Sequence, residues 1–140
     1  MIVVTGGAGF IGSAIVWKLN QQGKTNIIIV DELGKDEKWK NLVGLKYEDF
    51  VNKLEFIEQI LDDVIPYNVE AIIHMGANSS TTEKDADHLM DNNYHYTKEL
   101  ARYCVEKNVR FIYASSAATY GDGSLGFDDD ESKLETLRPL

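Results

Sequence analysis

Three glycines at the spacing Gly7-x-Gly9-x-x-Gly12, preceded by Gly6, stand directly after the apolar run Ile2-Val3-Val4. This pattern can hold phosphate. One glycine makes a tight turn, one lets main chain approach a pyrophosphate, and one lets a helix pack on a strand. The helix that follows points its free N–H groups and the positive end of its dipole at the same anion. Asp31 follows Gly12 by nineteen positions and closes the β-branched run Asn26–Asp31. A carboxylate about 20 residues beyond such a fingerprint hydrogen-bonds the adenosine ribose of a dinucleotide. Aspartate also suits a plain strand-end turn, but the spacing favours the ribose. A further candidate is Gly76-Ala77-Asn78-Ser79-Ser80-Thr81-Thr82, a small, hydroxyl-rich loop after an apolar run. At the carboxyl end of a parallel strand, such a loop lines a ligand crevice.

Alternating strands and helices must position these residues. Ile2–Val4 reads as a buried strand, followed by a helix with Ile15, Val16 and Leu19 on one face and Gly23 as its stop. Asn26–Asp31 is a continuous apolar run of the kind buried on both faces of a sheet. A short helix over Glu37–Leu42 and a weak strand over Leu45–Tyr47 follow. Leu54, Ile57, Ile60, Leu61 and Val64 predict an amphipathic helix over Lys53–Ile65, closed by Pro66. Val69–Met75 is the next strand. A long helix spans Asp85–Asn108, with Leu89, Met90, Leu100, Ala101, Cys104 and Val105 as its core stripe, and Val109–Ser115 is the last strand. Cys104 on that stripe reads as a packed thiol. The acidic run Asp128-Asp129-Asp130-Glu131 reads as a solvated loop and not a metal site. The fold class is therefore α/β, a doubly wound parallel sheet with helices on both faces.

Composition narrows the function. The 140 residues carry a formal net charge of −9, and no basic cluster is present for nucleic acid. Main-chain amides can hold a nucleotide without such a cluster. A single cysteine excludes an internal disulfide framework and suits the cytosol. The first apolar run ends after Val4, too short for a signal peptide. No stretch approaches the ~20 apolar residues of a membrane span. A cytoplasmic, acidic α/β domain is expected, with neither nucleic acid nor a membrane as partner.

Taken together, Thr5–Gly12, Asp31, His74-Met75-Gly76-Ala77 and Tyr113–Gly121 resemble the extended short-chain dehydrogenase/reductases. Gly76–Glu83 and Met90-Asp91-Asn92-Asn93-Tyr94 are most similar to the ADP-heptose 6-epimerase branch of that family. The resemblance implies a Rossmann fold, a tightly held nicotinamide cofactor, an ADP-activated heptose as substrate and a homo-oligomer. By the same resemblance Gly6, Gly7, Gly9 and Gly12 form the phosphate turn, and Phe10 and Ile11 present main chain to the pyrophosphate. Asp31 and Glu32 would flank the adenosine ribose, with Lys38 and Lys53 on the cofactor. Met75, Gly76, Ala77, Asn78 and Ser79 would line the crevice, and Asn92 would reach it from the long helix. Ser116 matches the catalytic serine that hydrogen-bonds the reacting oxygen.

Cofactor choice is a balance of charge. Asp31 favours the free 2′-hydroxyl of NAD and repels a 2′-phosphate. Lys35 and Lys38 offset that repulsion, and the resemblance implies NADP; if those lysines merely solvate a loop, NAD serves instead. The family's acid/base is a tyrosine in Tyr-x-x-x-Lys downstream of the serine, its pKa lowered by the lysine. Tyr94-x-x-x-Lys98 and Tyr103-x-x-x-Lys107 both precede Ser116 and read as helix-surface pairs. The working motif is expected just past Leu140. Residues 1–140 are thus expected to be the dinucleotide-binding domain, with the substrate domain outside them. Another nucleotide-sugar epimerase or dehydratase remains an alternative, although Ser116-Ala117-Ala118 carries neither of the acids expected of a dehydratase. A catalytically silent dinucleotide-binding module is the alternative of another class.

Overall fold

The computed structural model describes residues 1–78 and 82–139. Five parallel strands form one sheet: β1 (Ile2–Thr5), β2 (Ile27–Asp31), β3 (Asp49–Asn52), β4 (Ala71–His74) and β5 (Arg110–Tyr113), in the order β3-β2-β1-β4-β5. The chain winds outward from β1 to β3, then crosses back to β4. The reversal lies between β1 and β4, and a crevice opens at the carboxyl ends of strands where winding reverses. Register sets Thr5 beside Val30 on one side and His74 on the other.

Alternation along the strands divides the core into two layers. Val4, Ile27 and Ile29 pack under α1 (Phe10–Gln21) with Val16, Ala8 and Leu42. Val3, Ile28, Val30 and Ile72 face the other way, against α2 (Lys53–Leu61) and α4 (Tyr96–Lys107), where Phe56, Ile60, Leu100 and Cys104 meet them. The large aliphatic side chains and Phe56 among these each contribute roughly 1.5–3 kcal/mol by their burial. The expected doubly wound sheet with helices on both faces is what forms.

Three expectations need correction. The strand placed at Leu45–Tyr47 lies instead at Asp49–Asn52. The Lys46 N–H and C=O are taken by the Asn20 side-chain amide, at 2.7 and 2.9 Å, so this segment is tied to α1 and cannot join the ladder. Helix α2 ends at Leu61 and not near Ile65, because Asp63 adopts the left-handed conformation (φ 55°) and Val64 N–H turns back to Gln59 C=O. The long helix is α3 (Ala86–Leu89), a π-helical stretch over Met90–His95, and α4 in uninterrupted succession. Its inward stripe differs from the expected one: Met90 and Val105 are exposed, while Tyr96 and Tyr103 are buried beside Leu100 and Cys104. Tyrosine serves there because its hydroxyl can reach a partner, as Tyr96 does at Lys53 C=O, 2.9 Å away.

His74 pins the two central strands to the long helix. Its Nδ1 lies 2.6 Å from Thr5 Oγ1 and its Nε2 2.8 Å from Thr97 Oγ1, and its ring stacks on Tyr96 at 5.8 Å. Burial pushes the imidazole down to about 4. In the unfolded chain it titrates at about 6.5. Between those values the unfolded chain binds a proton that the fold refuses, so stability is full above pH ~6.5 and falls towards pH ~4. The loss attributable to His74 is up to about 3 kcal/mol. Urea unfolding at pH 7 and pH 4.5 checks this: the loss should shrink clearly in His74→Asn. Equal losses in both proteins would show that His74 is not the group responsible.

Candidate cofactor-binding site

The glycine turn follows directly from β1. Gly6 has φ 64°, and a Cβ there would lie 2.7 Å from the Gly76 N atom, so the ends of β1 and β4 abut through it. Gly12 is the closest fit: an added Cβ would stand 2.1 Å from Gly6 O. Only glycine lets the first turn of α1 sit on the β1 turn. Gly7 packs its Cα side against Ile29 and faces away from the crevice. Gly9, at the N-cap of α1, is left open enough for a ligand to meet main chain. No side chain caps that helix among the described residues, and no acidic residue stands in its first turn. Phe10 and Ile11, 88% and 62% exposed, carry the leading N–H groups. This is a cradle suited to a pyrophosphate.

A charged shelf flanks the turn. Asp31 is buried at the end of β2, where its carboxylate accepts Ala8 N–H (2.8 Å), Glu32 N–H (2.7 Å) and Lys38 Nζ (2.5 Å). Asn41 holds Ala8 from the other side, donating to its carbonyl at 2.8 Å. Lys53 pairs with Glu32 at 2.7 Å and donates to Asn92 Oδ1 at 3.2 Å. The Lys53 ammonium holds the Glu32 carboxyl below the usual carboxylate range. Asp31, Glu32, Lys38, Lys53 and Asn92 line one cleft of ≈330 Å³.

The opposite recess, ≈850 Å³, is lined by Phe10, Ile11, Gly12, Asn93, Thr97 and Ser116 among others. Gly6, Gly9, Met75, Gly76, Ala77 and Asn78 border both spaces, which therefore run together as one crevice. Ser116 is exposed and accepts Ala118 N–H at 3.2 Å, opening a short 3-10 turn. Ser79 lies outside the described residues. Of the two Tyr-x-x-x-Lys pairs, Tyr94 with Lys98 is on the surface (ammonium 5.9 Å from the ring), as expected. Tyr103 is not a surface residue: it is buried, and its Lys107 pairs instead with Asp63 at 2.7 Å. Burial pushes the Tyr103 phenol up, the reverse of what an acid/base needs.

Sequence reasoning missed His74, Thr97 and Asn41 as supports of the site, and gave Asn93 no role. The Asn92-Asn93 doublet inside a helix was the available signal, since asparagine is a poor helix former. The π-helical stretch turns both towards the crevice, Asn92 to one cleft and Asn93 to the other. Such stretches recur at functional sites.

Comparison with known proteins agrees with this geometry. ADP-L-glycero-D-manno-heptose-6-epimerases of Nitratidesulfovibrio vulgaris and Fusobacterium nucleatum are each 56% identical to this chain, over 140 and 142 aligned residues. Each alignment covers 100% of this chain and 43% of the relative, so the chain spans less than half the length of those proteins. The solved structure of the Helicobacter pylori ADP-L-glycero-D-manno-heptose-6-epimerase matches with a TM-score of 0.74 at 26% identity, covering 93% of this chain and 43% of that one. The NAD dependent epimerase/dehydratase family matches residues 2–140, and with the glycine turn, the switch-point crevice and the strand order in place, the chain belongs to that family.

Proposed function

We propose that this chain supplies the cofactor site of an epimerase converting ADP-D-glycero-D-manno-heptose to ADP-L-glycero-D-manno-heptose, with NADP as cofactor. The observation that carries the reading is the arrangement of the crevice. An uncapped helix end and glycine turn lie in the middle, a charged shelf on one side, and Ser116 on the other. The 56% identity to named heptose epimerases supports the choice of sugar.

A nicotinamide dinucleotide bound here supplies a hydride acceptor that later returns the hydride. The chain's own residues hold and aim it. The N–H groups of Phe10 and Ile11 would meet the pyrophosphate, and the wall from Met75 to Asn78 would separate its two halves. Asp31 unaided would repel a 2′-phosphate. Lys38, in contact with Asp31, cancels that charge, and Lys53 brings a second ammonium to the same cleft. The balance therefore favours NADP over NAD. On the other side the Ser116 hydroxyl would hydrogen-bond the oxygen on C6″ of the heptose. Loss of hydride from C6″ gives a ketone there, and return to the opposite face inverts the centre with no net redox change. The hydroxyl proton must leave and come back through a separate acid/base, which the family resemblance places in a Tyr-x-x-x-Lys beyond Ser116.

Fluorescence titration with NADP and NAD tests the cofactor side. NADP should bind more tightly, and Lys38→Ala should weaken NADP by about tenfold while changing NAD less. Tighter binding of NAD to the unsubstituted protein would reverse the assignment. Gly12→Ala should destabilise the fold by about 1–3 kcal/mol through overpacking and abolish dinucleotide binding, read by thermal unfolding with and without NADP. Unimpaired binding would show that the turn does not cradle the phosphates. In the whole protein, NMR of ADP-heptose turnover should show inversion at C6″, slowed about 100-fold or more in Ser116→Ala. No inversion by the unsubstituted protein would remove the heptose reading.

A further inference from the structure

Beside the crevice wall runs a second row of polar side chains that bears no charge. Asn93 holds the main chain of Asn78 as a neighbouring strand would: its Oδ1 accepts Asn78 N–H at 2.8 Å and its Nδ2 donates to Asn78 C=O at 2.9 Å. The same Oδ1 accepts from Asn92 Nδ2 at 2.9 Å, and Asn92 accepts from Lys53. The clamp is thereby joined to the charged shelf.

The wall is also held at its other end. Thr97 Oγ1 donates to Asn93 C=O at 2.7 Å, which leaves its lone pairs for His74 Nε2–H. With the proton on Nε2, His74 Nδ1 accepts from the Thr5 hydroxyl, and Thr5 Oγ1 in turn accepts Gly76 N–H at 3.2 Å. Every donor in this series meets an acceptor when the imidazole is neutral with its proton on Nε2. The series starts and ends on main chain: the Asn93 carbonyl in the π-helical stretch and the Gly76 amide in the wall.

We propose that Asn93 is the positioning residue of the crevice wall, clamping Asn78 from the helix while Thr97, His74 and Thr5 fix Gly76, so that the wall stands ready before a ligand arrives. A preset wall spares the ligand the cost of ordering it. The consequence for binding rests on the dinucleotide reading above, and the clamp itself does not. The wall borders both halves of the crevice, whereas the Asp31–Lys38 shelf lies in one. A ligand spanning both halves should therefore depend on the clamp more than a fragment confined to the shelf.

Asn93→Ala, Thr97→Val and Thr97→Ser provide the test. Hydrogen exchange followed by NMR on the ligand-free protein should show the Asn78 amide losing protection by about tenfold or more in Asn93→Ala, with the β1 and β2 amides unchanged. Titration should show the Kd for NADP rising about tenfold in Asn93→Ala, against less than about twofold for adenosine 2′,5′-bisphosphate. Thr97→Val should weaken NADP in the same selective way, and Thr97→Ser, which keeps the hydroxyl, should restore it. Unchanged protection at Asn78 would overturn the clamp. Equal weakening of dinucleotide and fragment, or sheet amides that lose protection together with Asn78, would show a merely structural role. If neither NADP nor the fragment binds the unsubstituted protein, the cofactor reading fails while the exchange data still decide the clamp.

Discussion

One buried carboxylate organises this molecule. Asp31 ends β2, yet its oxygens reach the glycine turn through Ala8 N–H and the outer shelf through Lys38. Hydrogen bonds to charged groups are among the stronger ones, at about 1.5–3 kcal/mol, and burial raises the cost of leaving such a charge unpaired. The turn is therefore fixed to β2 as well as to its own strand. Its position relative to β4 is set by contact, since Gly6 leaves no room for a Cβ against Gly76. Crevice shape and crevice charge thus share one anchor.

On the proposed reading, that anchor would let an acid beside the adenosine ribose coexist with a 2′-phosphate. The aspartate is spent partly on structure, and its charge is matched by a lysine that reaches it from a 3-10 turn. Shelf and recess meet across the wall from Met75 to Asn78, so a dinucleotide bound as proposed would contact several separate segments of chain. The helix end supplies direction, the shelf charge and the wall separation. Each comes from a different element, and the parallel winding brings them to one edge of the sheet.

The sequence made most of this legible where the physics is local. The glycine spacing, the β-branched run ending in Asp31 and the apolar run before His74 each encode their own conformation. The turn residues Gly6, Gly9 and Gly12 and the shelf residues Asp31, Glu32, Lys38 and Lys53 line one crevice, whereas Gly7 packs on Ile29 of β2. What stayed hidden depends on tertiary partners. Leu45–Tyr47 resembles a strand but gives its Lys46 main chain to Asn20, 26 residues back in the chain. Periodicity of apolar residues finds Leu100 and Cys104 on the inward face of the long helix but overlooks Tyr96 and Tyr103 beside them and the crevice-lining Asn92 and Asn93. His74 falls within the strand run Val69–Met75, and only the arrival of Thr5 and Thr97 on either side gives its imidazole partners.

The central claim is that the glycine turn, the Asp31–Lys38 shelf and the Met75–Asn78 wall form one dinucleotide site. The most direct measurement is an ¹H–¹⁵N NMR titration of the protein with NADP. Saturable shifts concentrated at Ala8–Gly12, Asp31, Lys38 and Gly76–Asn78 are the predicted result. Saturable shifts centred elsewhere, or none at all, would contradict the account.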